Sequence, residues 1–312
     1  DRDFDQALKL IDVAVRSGAD AVKFQTYSSN TLYSKYTPDF AGYKDIPSLI
    51  KELELPRTWH KDLKQYCDES CIEFMSTPFD ESAVEELCEL GVERFKIASF
   101  EARDPRLVKC VARTGKPIII SAGVGVSLES VAEILEWISE ENSDPDVTFL
   151  HCNSAYPTPY KDSCLLQIQK LKDTVFKIPI NVGLSDHTTG ILVPPLAVAL
   201  GAKVIEKHYT LDRSSPGPDH SFALEPDELV QMVKNIRIAE ECMRSKPGIT
   251  ESEESYIGAM RSVVLARDIK RGELVTEGSI TTKRPAIDGC VPSWEYFNLI
   301  KNGYRFKVDL SE

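Results

Sequence analysis

The sequence lacks three features that would each point to a common class of protein. Its eight cysteines include no CxxC pair, which is typical of small buried thiols in a reducing cytoplasm. Positive charge is scarce, since 37 Lys and Arg residues stand against 49 Asp and Glu residues and the formal net charge is -12. Such a balance argues against nucleic acid or an anionic membrane as the main partner. Neither a GxxxxGK[ST] nor a GxGxxG loop occurs, so nucleotide-driven chemistry is not expected.

Long apolar runs are also missing. The longest apolar stretch, at 191–202, contains two prolines and is shorter than the roughly 20 residues that a membrane span needs. No signal peptide is visible. The remaining composition, 42% hydrophobic and 28% charged over 312 residues, is that of a globular protein with a sizeable core. We therefore expect a cytoplasmic protein with no nucleic acid and no membrane among its partners.

Short apolar or β-branched segments recur along the chain, and each is followed by a helix-like segment. Strands are predicted at 21–25, 72–78, 94–99, 117–123, 147–154, 179–186 and 203–211. The strict alternation implies a parallel sheet with right-handed crossovers, and seven such units favour a (β/α)₈ TIM barrel. Because the sequence opens directly on helical material, we expect the first barrel strand to lie upstream of residue 1.

The predicted domains are a barrel over 1–243, a linker over 244–260 and a small module over 261–312. Residues 244–255 are polar and show no apolar periodicity, which indicates a linker. The module consists of short alternating segments and a turn at Arg271 and Gly272. At about 50 residues it can hardly build a core of its own, so it should dock on another surface, in the same chain or on a partner subunit.

Polar residues share a face on the first predicted strand. In a barrel, side chains alternate between the interior and the surrounding helices, and reacting groups gather at the carboxyl ends of the strands. Lys23 and Gln25 therefore point together into the barrel mouth. A buried lysine without an anion is costly, so Lys23 either awaits a phosphate or carboxylate or forms a helix-facing salt bridge.

Two histidines follow consecutive strands. Ser185 and His187 share one face of the first strand, and Glu206 and His208 share one face of the next. Since neighbouring parallel strands run about 4.8 Å apart, the two imidazoles can converge on one metal ion. With two nitrogen ligands and oxygens completing the shell, Mn²⁺ or Mg²⁺ is favoured over structural zinc. The alternative for either residue is a hydrogen-bonded core histidine.

Further lysine and hydroxyl groups lie at other predicted strand ends, namely Thr77, Lys96, Ser99 and Ser121. Each is a weak signal alone. Together they predict a ring of cationic and hydroxyl groups around one mouth, suited to a small ligand that carries both a phosphate and a carboxylate.

The motifs AVKFQT, STPF, FKIAS, HCNSAYPTPY, GLSDHTTG, ALGAKVIEKHYTLD and GPDH follow each other in order and spacing. This set resembles the sialic acid synthases and, more broadly, the nonulosonic acid synthases, which make neuraminate, legionaminate and pseudaminate, together with their spore-coat polysaccharide relatives. The resemblance covers essentially the whole chain. The tail from Ser262 to Pro285 is similar to the family's antifreeze-like (SAF) module, a β-clip fold.

The resemblance implies a transferase that condenses phosphoenolpyruvate with an N-acylated aldose, such as N-acetylmannosamine or a deoxy-diacetamido analogue. The products are a nine-carbon sugar and phosphate, which is released by C–O cleavage. A divalent ion, Mn²⁺ or Mg²⁺, polarises the sugar aldehyde. Two segments point to different sugars: FEARDP is closer to pseudaminate enzymes, and LDRSSPGPDH is closer to neuraminate or legionaminate enzymes.

By motif position, the resemblance also assigns roles to single residues. His187 and His208 bind the metal and, with Lys96 and Glu206, form the catalytic group. Residues that contact or lie close to phosphoenolpyruvate are Lys23, Gln25, Thr77, Lys96, Ser99, Ser121, Ser185 and, where some members have asparagine, Ser154. Residues that face the sugar or the reacting centre are Tyr156, Glu206 and Asp219. Arg284 matches an arginine that reaches the partner's active site, which implies a domain-swapped homodimer.

Some alternatives stay open at this point. Arg284 can be a surface arginine, and Asp219 can be a turn cap after Pro218. The family's first strand carries an acidic residue and an Asn-His motif that this sequence does not contain. A two-histidine metal barrel can also be a sugar hydrolase or isomerase, and a pocket without turnover would be a sugar-binding homologue.

Overall fold

A computed structural model describes residues 2–39, 42–246, 248–286 and 289–311. The chain divides into two compact units, and the division falls between Met243 and Arg244. The strands of the first unit are β1 (Ala21–Thr26), β2 (Glu73–Pro78), β3 (Phe95–Ile97), β4 (Ile118–Ala122), β5 (Val147–Cys152), β6 (Asn181–Asp186) and β7 (Val204–Lys207). All seven predicted strands are present.

Every strand pair in this unit is parallel among the described residues. One ladder joins β1 to β2, and a second sheet runs β3-β4-β5-β6-β7 in chain order. Helices alternate with the strands, which gives a TIM-barrel-like fold. No ladder links β7 to β1 among the residues described, so the predicted eight-stranded closure is not observed in them.

Ten helices flank these strands over the described part of the first unit. Their bounds are α1 (Phe4–Ser17), α2 (Ser29–Leu32), α3 (Ile46–Leu53), α4 (His60–Glu69), α5 (Glu81–Leu90), α6 (Pro105–Ala112), α7 (Leu128–Glu141), α8 (Leu166–Asp173), α9 (Val193–Ala199) and α10 (Pro226–Cys242). Within the described ranges, none of the helices combines the length and apolar character that a bilayer crossing requires.

Local signals explain where the helices begin and end. The Asp80 carboxylate accepts the backbone N–H of Ala83 at 2.8 Å and caps α5. Helix α1 ends at Gly18, whose φ of 75° lies in the left-handed region. Along α1, Ile11 is fully buried, whereas Val15 is 39% exposed because the buried face turns toward Ala14 instead.

The inward-facing side chains of the strands form two layers. The lower layer packs Met75, Ile119 and Leu150 against Ala21 and Val204. Two residues further along each strand, the inward position is polar or a thiol, because side chains alternate with a period of two. This upper layer consists of Lys23, Thr77, Ser121, Cys152, Ser185 and Glu206. The barrel therefore places a polar surface on an apolar floor, at the carboxyl ends of the strands.

Gly183 on β6 faces inward in the lower layer, at a point where the neighbouring atoms leave no room for a side chain. A Cβ there would lie 2.3 Å from the carbonyl oxygen of Val204 and 2.5 Å from Cδ2 of Leu150. We expect Gly183→Ala to lower the free energy of unfolding by about 3 kcal/mol, because strand β7 must move to admit the methyl group. Urea unfolding measures this. Gly258→Ala, where a Cβ meets nothing within 4 Å, is the control, and an equal effect of both variants would contradict the prediction.

The second unit contains α11 (Glu251–Glu254), β8 (Ser262–Leu265), β9 (Ile280–Lys283) and α12 (Tyr296–Lys301). Strands β8 and β9 pair in antiparallel orientation. The segment predicted as a linker, 244–260, carries α11 and belongs to this unit. Ile269, Val275 and Ile280 are buried in it, while Trp294 and Phe297 are 65% and 70% exposed.

Candidate active site

The centre of the barrel mouth is a carboxylate held between two ammonium groups. Glu206 Oε1 lies 3.7 Å from Nζ of Lys23, and its Oε2 lies 3.7 Å from Nζ of Lys96. The lysines stand on β1 and β3, and Glu206 stands on β7. Lys96 is 2% exposed and donates to the Ser121 hydroxyl at 2.8 Å. Lys23 donates to the Thr77 hydroxyl at 3.3 Å. These lysine, hydroxyl and carboxylate groups therefore lie together at one mouth of the strands.

The charges of this cluster are mutually dependent. Burial disfavours the ionised form of Glu206, but Lys96 and Lys23 outweigh it and hold its pKa at about 2. Burial also lowers the pKa of Lys96, and Glu206 opposes that shift. At neutral pH the carboxylate is thus charged. Since one anion faces two ammonium groups, an anionic ligand that approaches the mouth meets cationic donors.

His187 and His208 lie side by side, with ring centroids 5.3 Å apart and planes inclined by 58°. Burial lowers the pKa of both rings to about 4; the neighbouring His208 adds to the shift at His187, and Lys23 adds to it at His208. Both imidazoles are therefore neutral at pH 7. His187 Nδ1 lies 2.9 Å from the Asn153 carbonyl oxygen, which can only accept, so Nδ1 carries the proton and Nε2 keeps its lone pair.

The two rings fit a shared divalent ion. Imidazoles that bind one metal through nitrogens at about 2.1 Å have centroids on the order of 5 Å apart. Neutral rings with a free lone pair are the form that binds metal. Within the described residues no group of three or more His, Cys, Asp or Glu side chains is arranged to hold an ion. The pair alone would therefore leave coordination positions open to water or substrate oxygens.

Tyr156 covers the histidines from the solvent side. Its ring centroid lies 4.2 Å from that of His187 and 6.2 Å from that of His208. Asp219 Oδ2 lies 3.7 Å from Nδ1 of His208. A cavity of about 280 Å³ opens beside these groups and is lined by Gln25 among others. Gln25 and Asp219 thus line a cavity beside His208, and Tyr156 packs against both histidine rings; their roles stay predictions.

A second hydroxyl cluster lies where β3, β4 and β5 end. The Ser99 and Ser154 hydroxyl oxygens are 3.0 Å apart, and the backbone N–H of Val124 points to Ser154 Oγ at 3.3 Å. Gly123 lies directly beneath them, because a Cβ at this position would be 2.4 Å from Ser154 Oγ and 2.7 Å from Ser99 Cβ. Ser185, 3% exposed, lies on the neighbouring strand β6, in register with Cys152 on β5 and Glu206 on β7.

Sequence reasoning missed two groups near this mouth. Cys152, treated only as a buried thiol, places its Sγ 3.9 Å from His187 Nδ1. Glu101 was given no role of its own, although it comes two residues after Ser99 in the FEARDP segment. Its Oε2 is buried and has no hydrogen-bond partner among the described residues. Burial raises the pKa of Glu101 to about 7, and the nearby Lys96 ammonium opposes this shift. An acidic residue just past a strand end was the available signal.

The raised pKa of Glu101 predicts a pH-dependent stability. The folded protein keeps this carboxyl protonated up to about pH 7, whereas an unfolded chain releases the proton near 4.3. Folding is therefore favoured by the group at low pH, and that contribution is lost as the pH rises toward 7. The quantity to compare is the free energy of unfolding of Glu101→Gln minus that of wild type. This difference should be about 2 kcal/mol more favourable to the variant at pH 8 than at pH 5.

Urea unfolding of wild type and Glu101→Gln at the two pH values measures this difference. Glu93→Gln, which changes an exposed carboxylate, is the matched control and should show no such difference. A Glu101→Gln difference that is the same at pH 5 and pH 8 would contradict the assignment.

Arg284 lies in the second unit, where it is exposed just after β9. Its role at the active site of a partner subunit stays a prediction. Two further histidines of the first unit, His151 and His60, have hydrogen-bond partners in the fold. His151 Nε2 bonds to the Ser163 carbonyl at 2.7 Å, and His60 Nε2 lies 3.2 Å from the Thr26 hydroxyl.

A comparison with family models matches residues 10–247 to the NeuB family. The chain belongs to the NeuB family. Similar proteins include the N,N'-diacetyllegionaminic acid synthase of Campylobacter jejuni, 40% identical over 296 residues that cover 91% of this chain and 87% of that protein. The pseudaminic acid synthase of the same species is 38% identical and covers 90% of this chain and 83% of its own length.

Among solved structures, the NeuB chain resembles the N-acetylneuraminic acid (sialic acid) synthetase of Leptospira borgpetersenii, crystallised in complex with citrate. The TM-score is 0.72 at 34% identity, over 82% of this chain and 86% of that one. Homologues of this NeuB chain are thus nonulosonic acid synthases of several types. The predicted family is confirmed, and the enzyme is of the N-acetylneuraminate synthase type.

Proposed function

We propose that this chain condenses phosphoenolpyruvate with an N-acylated aldose to give a nine-carbon sugar acid and phosphate. The aldose is N-acetylmannosamine or a deoxy-diacetamido analogue. The observation that carries the proposal is the Lys23–Glu206–Lys96 cluster beside two neutral imidazoles. This cluster combines cationic donors for a phosphate and a carboxylate with lone pairs for a divalent ion. The synthase names of the relatives support the same reaction.

In this proposal the mouth binds phosphoenolpyruvate through fixed donors. The ammonium groups of Lys23 and Lys96 and the hydroxyls around them hold the phosphate and the carboxylate. Because Lys96 is buried and already bonded to Ser121, it loses little freedom when the ligand binds, and orientation supplies much of the rate. The hydroxyls that take part are those of Thr77, Ser99, Ser121, Ser154 and Ser185.

We assign the proposed metal, Mn²⁺ or Mg²⁺, to His187 and His208. An ion held there polarises the sugar aldehyde and makes its carbon electrophilic. Asp219 lines the cavity beside His208 and Tyr156 lies against the histidine rings, and both orient the sugar; Gln25 lines the same cavity and lies close to phosphoenolpyruvate. Glu206 and Lys96 carry opposite charges and compensate each other beside the reacting centre.

The reaction balances without a covalent enzyme intermediate. The enol carbon C3 of phosphoenolpyruvate forms a bond to the aldehyde carbon, and C2 becomes oxocarbenium-like. Water adds to C2, and the C2–O bond to phosphate then breaks so that phosphate leaves with the bridging oxygen. The side chains of the mouth bind, orient and transfer protons, so none of them is required as a nucleophile.

The same proposal includes the assembly. The first unit is a (β/α)₈-type barrel, and residues 261–312 form an SAF module. Arg284 reaches the sugar of a partner subunit in a domain-swapped homodimer. The enzyme works in the cytoplasm. The likeness to synthase relatives along nearly the whole chain supports these statements.

The experiment measures phosphate release and product mass with phosphoenolpyruvate, Mn²⁺ and single acylated sugars. Two results together support the proposal. Phosphate release requires both substrates, and the product mass equals that of the sugar plus pyruvic acid. Phosphate release without any sugar, or none with N-acetylmannosamine and its 6-deoxy diacetamido analogues alike, would overturn it.

A further inference from the structure

The strand ends that carry His187 and His208 are joined from behind by a buried ion pair. In the β6–β7 register Asp186 lies opposite Lys207. Each stands one residue before a histidine, so both side chains point away from the face that carries the imidazoles. Lys207 Nζ lies 2.6 Å from Asp186 Oδ2, and both side chains are only 2% exposed.

This pair also clamps the backbone directly after His187. The Thr188 N–H donates to Asp186 Oδ1 at 3.0 Å, and its hydroxyl donates to Oδ2 at 3.1 Å. Lys207 Nζ donates to the Thr188 carbonyl oxygen as well. The Thr188 N–H and C=O groups are therefore both bound by the ion pair, and the Asn153 carbonyl fixes the His187 ring from another side.

Burial of two charges gives little net stability, because the loss of their hydration offsets their attraction. The pair instead defines the local geometry. The Asp186 carboxylate accepts three hydrogen bonds and the Lys207 ammonium group donates two, and few arrangements of the two side chains satisfy all of them. The ion pair of Arg94 and Glu73, near the amino ends of the strands, is much less buried than this one, since its arginine side chain is 41% exposed.

We infer that Asp186 and Lys207 are positioning residues that hold the imidazoles of His187 and His208 at one separation and thereby set the affinity for a divalent ion. The inference rests on the metal site of the proposed function. Neither residue touches substrate, since both lie behind the strand ends. They act through the backbone of Thr188 and through the β6–β7 ladder.

The test is the binding of Mn²⁺ alone, measured by the electron paramagnetic resonance of the free ion, without phosphoenolpyruvate or sugar. The double variant Asp186→Asn/Lys207→Met removes both charges and leaves no unpaired one in the interior. We expect its Kd for Mn²⁺ to rise about 10- to 100-fold. Turnover should fall at limiting Mn²⁺ and recover at saturating Mn²⁺. The control Glu73→Gln/Arg94→Met should change the Kd by less than about twofold.

An unchanged Kd in the folded double variant overturns the inference. If that variant does not fold, Lys207→Arg, which keeps the charge but alters the geometry, must still raise the Kd several-fold, and an unchanged value overturns the inference equally. If wild type and His208→Ala bind Mn²⁺ equally weakly, the proposed metal site itself fails. The ring geometry is then decisive: the ¹⁵N ring signals of His187 and His208 should differ between wild type and the double variant, and unchanged signals in the folded variant overturn the inference.

Discussion

Replacing His208 with alanine is expected to lower kcat/KM about a thousandfold while the protein stays folded. The ring is neutral at pH 7 and lies beside His187, with centroids 5.3 Å apart. If the pair holds the proposed ion, loss of one of its two imidazole ligands would remove the group that polarises the aldehyde, which corresponds to a loss of about 4 kcal/mol in transition-state stabilisation. The same result is expected for His187→Ala. Steady-state kinetics with phosphoenolpyruvate, Mn²⁺ and the accepted sugar measure the effect.

The matched control is His151→Gln on the neighbouring strand β5. His151 is also buried, but its Nε2 bonds to the Ser163 carbonyl and not to any group of the mouth. Glutamine keeps a donor there, so kcat/KM should stay within about tenfold of wild type. Full activity of either His187→Ala or His208→Ala, with folding shown by circular dichroism, would remove the metal from the mechanism.

Gly123→Ala is expected to raise the KM for phosphoenolpyruvate by about a hundredfold with a smaller effect on the sugar. The new methyl group would lie 2.4 Å from Ser154 Oγ and 2.7 Å from Ser99 Cβ. Both serines must shift, and the hydroxyl pair at 3.0 Å is lost as an anion site. Two misplaced charge-assisted hydrogen bonds correspond to about 3 kcal/mol, or a factor of about a hundred.

Gly125→Ala is the control, two residues along the same loop. A Cβ there meets nothing within 4 Å, although its φ of 76° makes the substitution strained. The control therefore measures the cost of loop strain without filling the hydroxyl cluster. Equal KM values for phosphoenolpyruvate in the two variants would show that binding does not depend on the positions of Ser99 and Ser154.

Strand periodicity explains why much of the site could be predicted from the sequence. Lys23, Ser185 and Glu206 lie on short strands where every second residue faces inward, so their common face follows from the alternation alone. The polar layer above Met75, Ile119 and Leu150 repeats this rule on several strands. The rule fixes a face and an approximate height, and this was enough to group the residues.

The partners within the site could not be predicted in the same way. That Lys96 on β3 reaches Glu206 on β7 depends on the curvature of the sheet, which no local pattern contains. Glu101 and Cys152 were missed for separate reasons: one lies in a loop, where periodicity sets no direction, and the other has the composition of an ordinary core residue. The absence of a ladder between β7 and β1 in the described residues leaves the eight-stranded closure a prediction.

The contact of Lys23 with Glu206 joins the first and last strands of the barrel as the structure describes it. An incompletely assembled chain cannot form it, because every intervening βα unit must be in place before these side chains meet. A ligand that needs both groups therefore recognises only the finished barrel and favours it over partly opened forms as well as over the unfolded chain. Occupancy of the mouth thus reports on the integrity of the whole barrel.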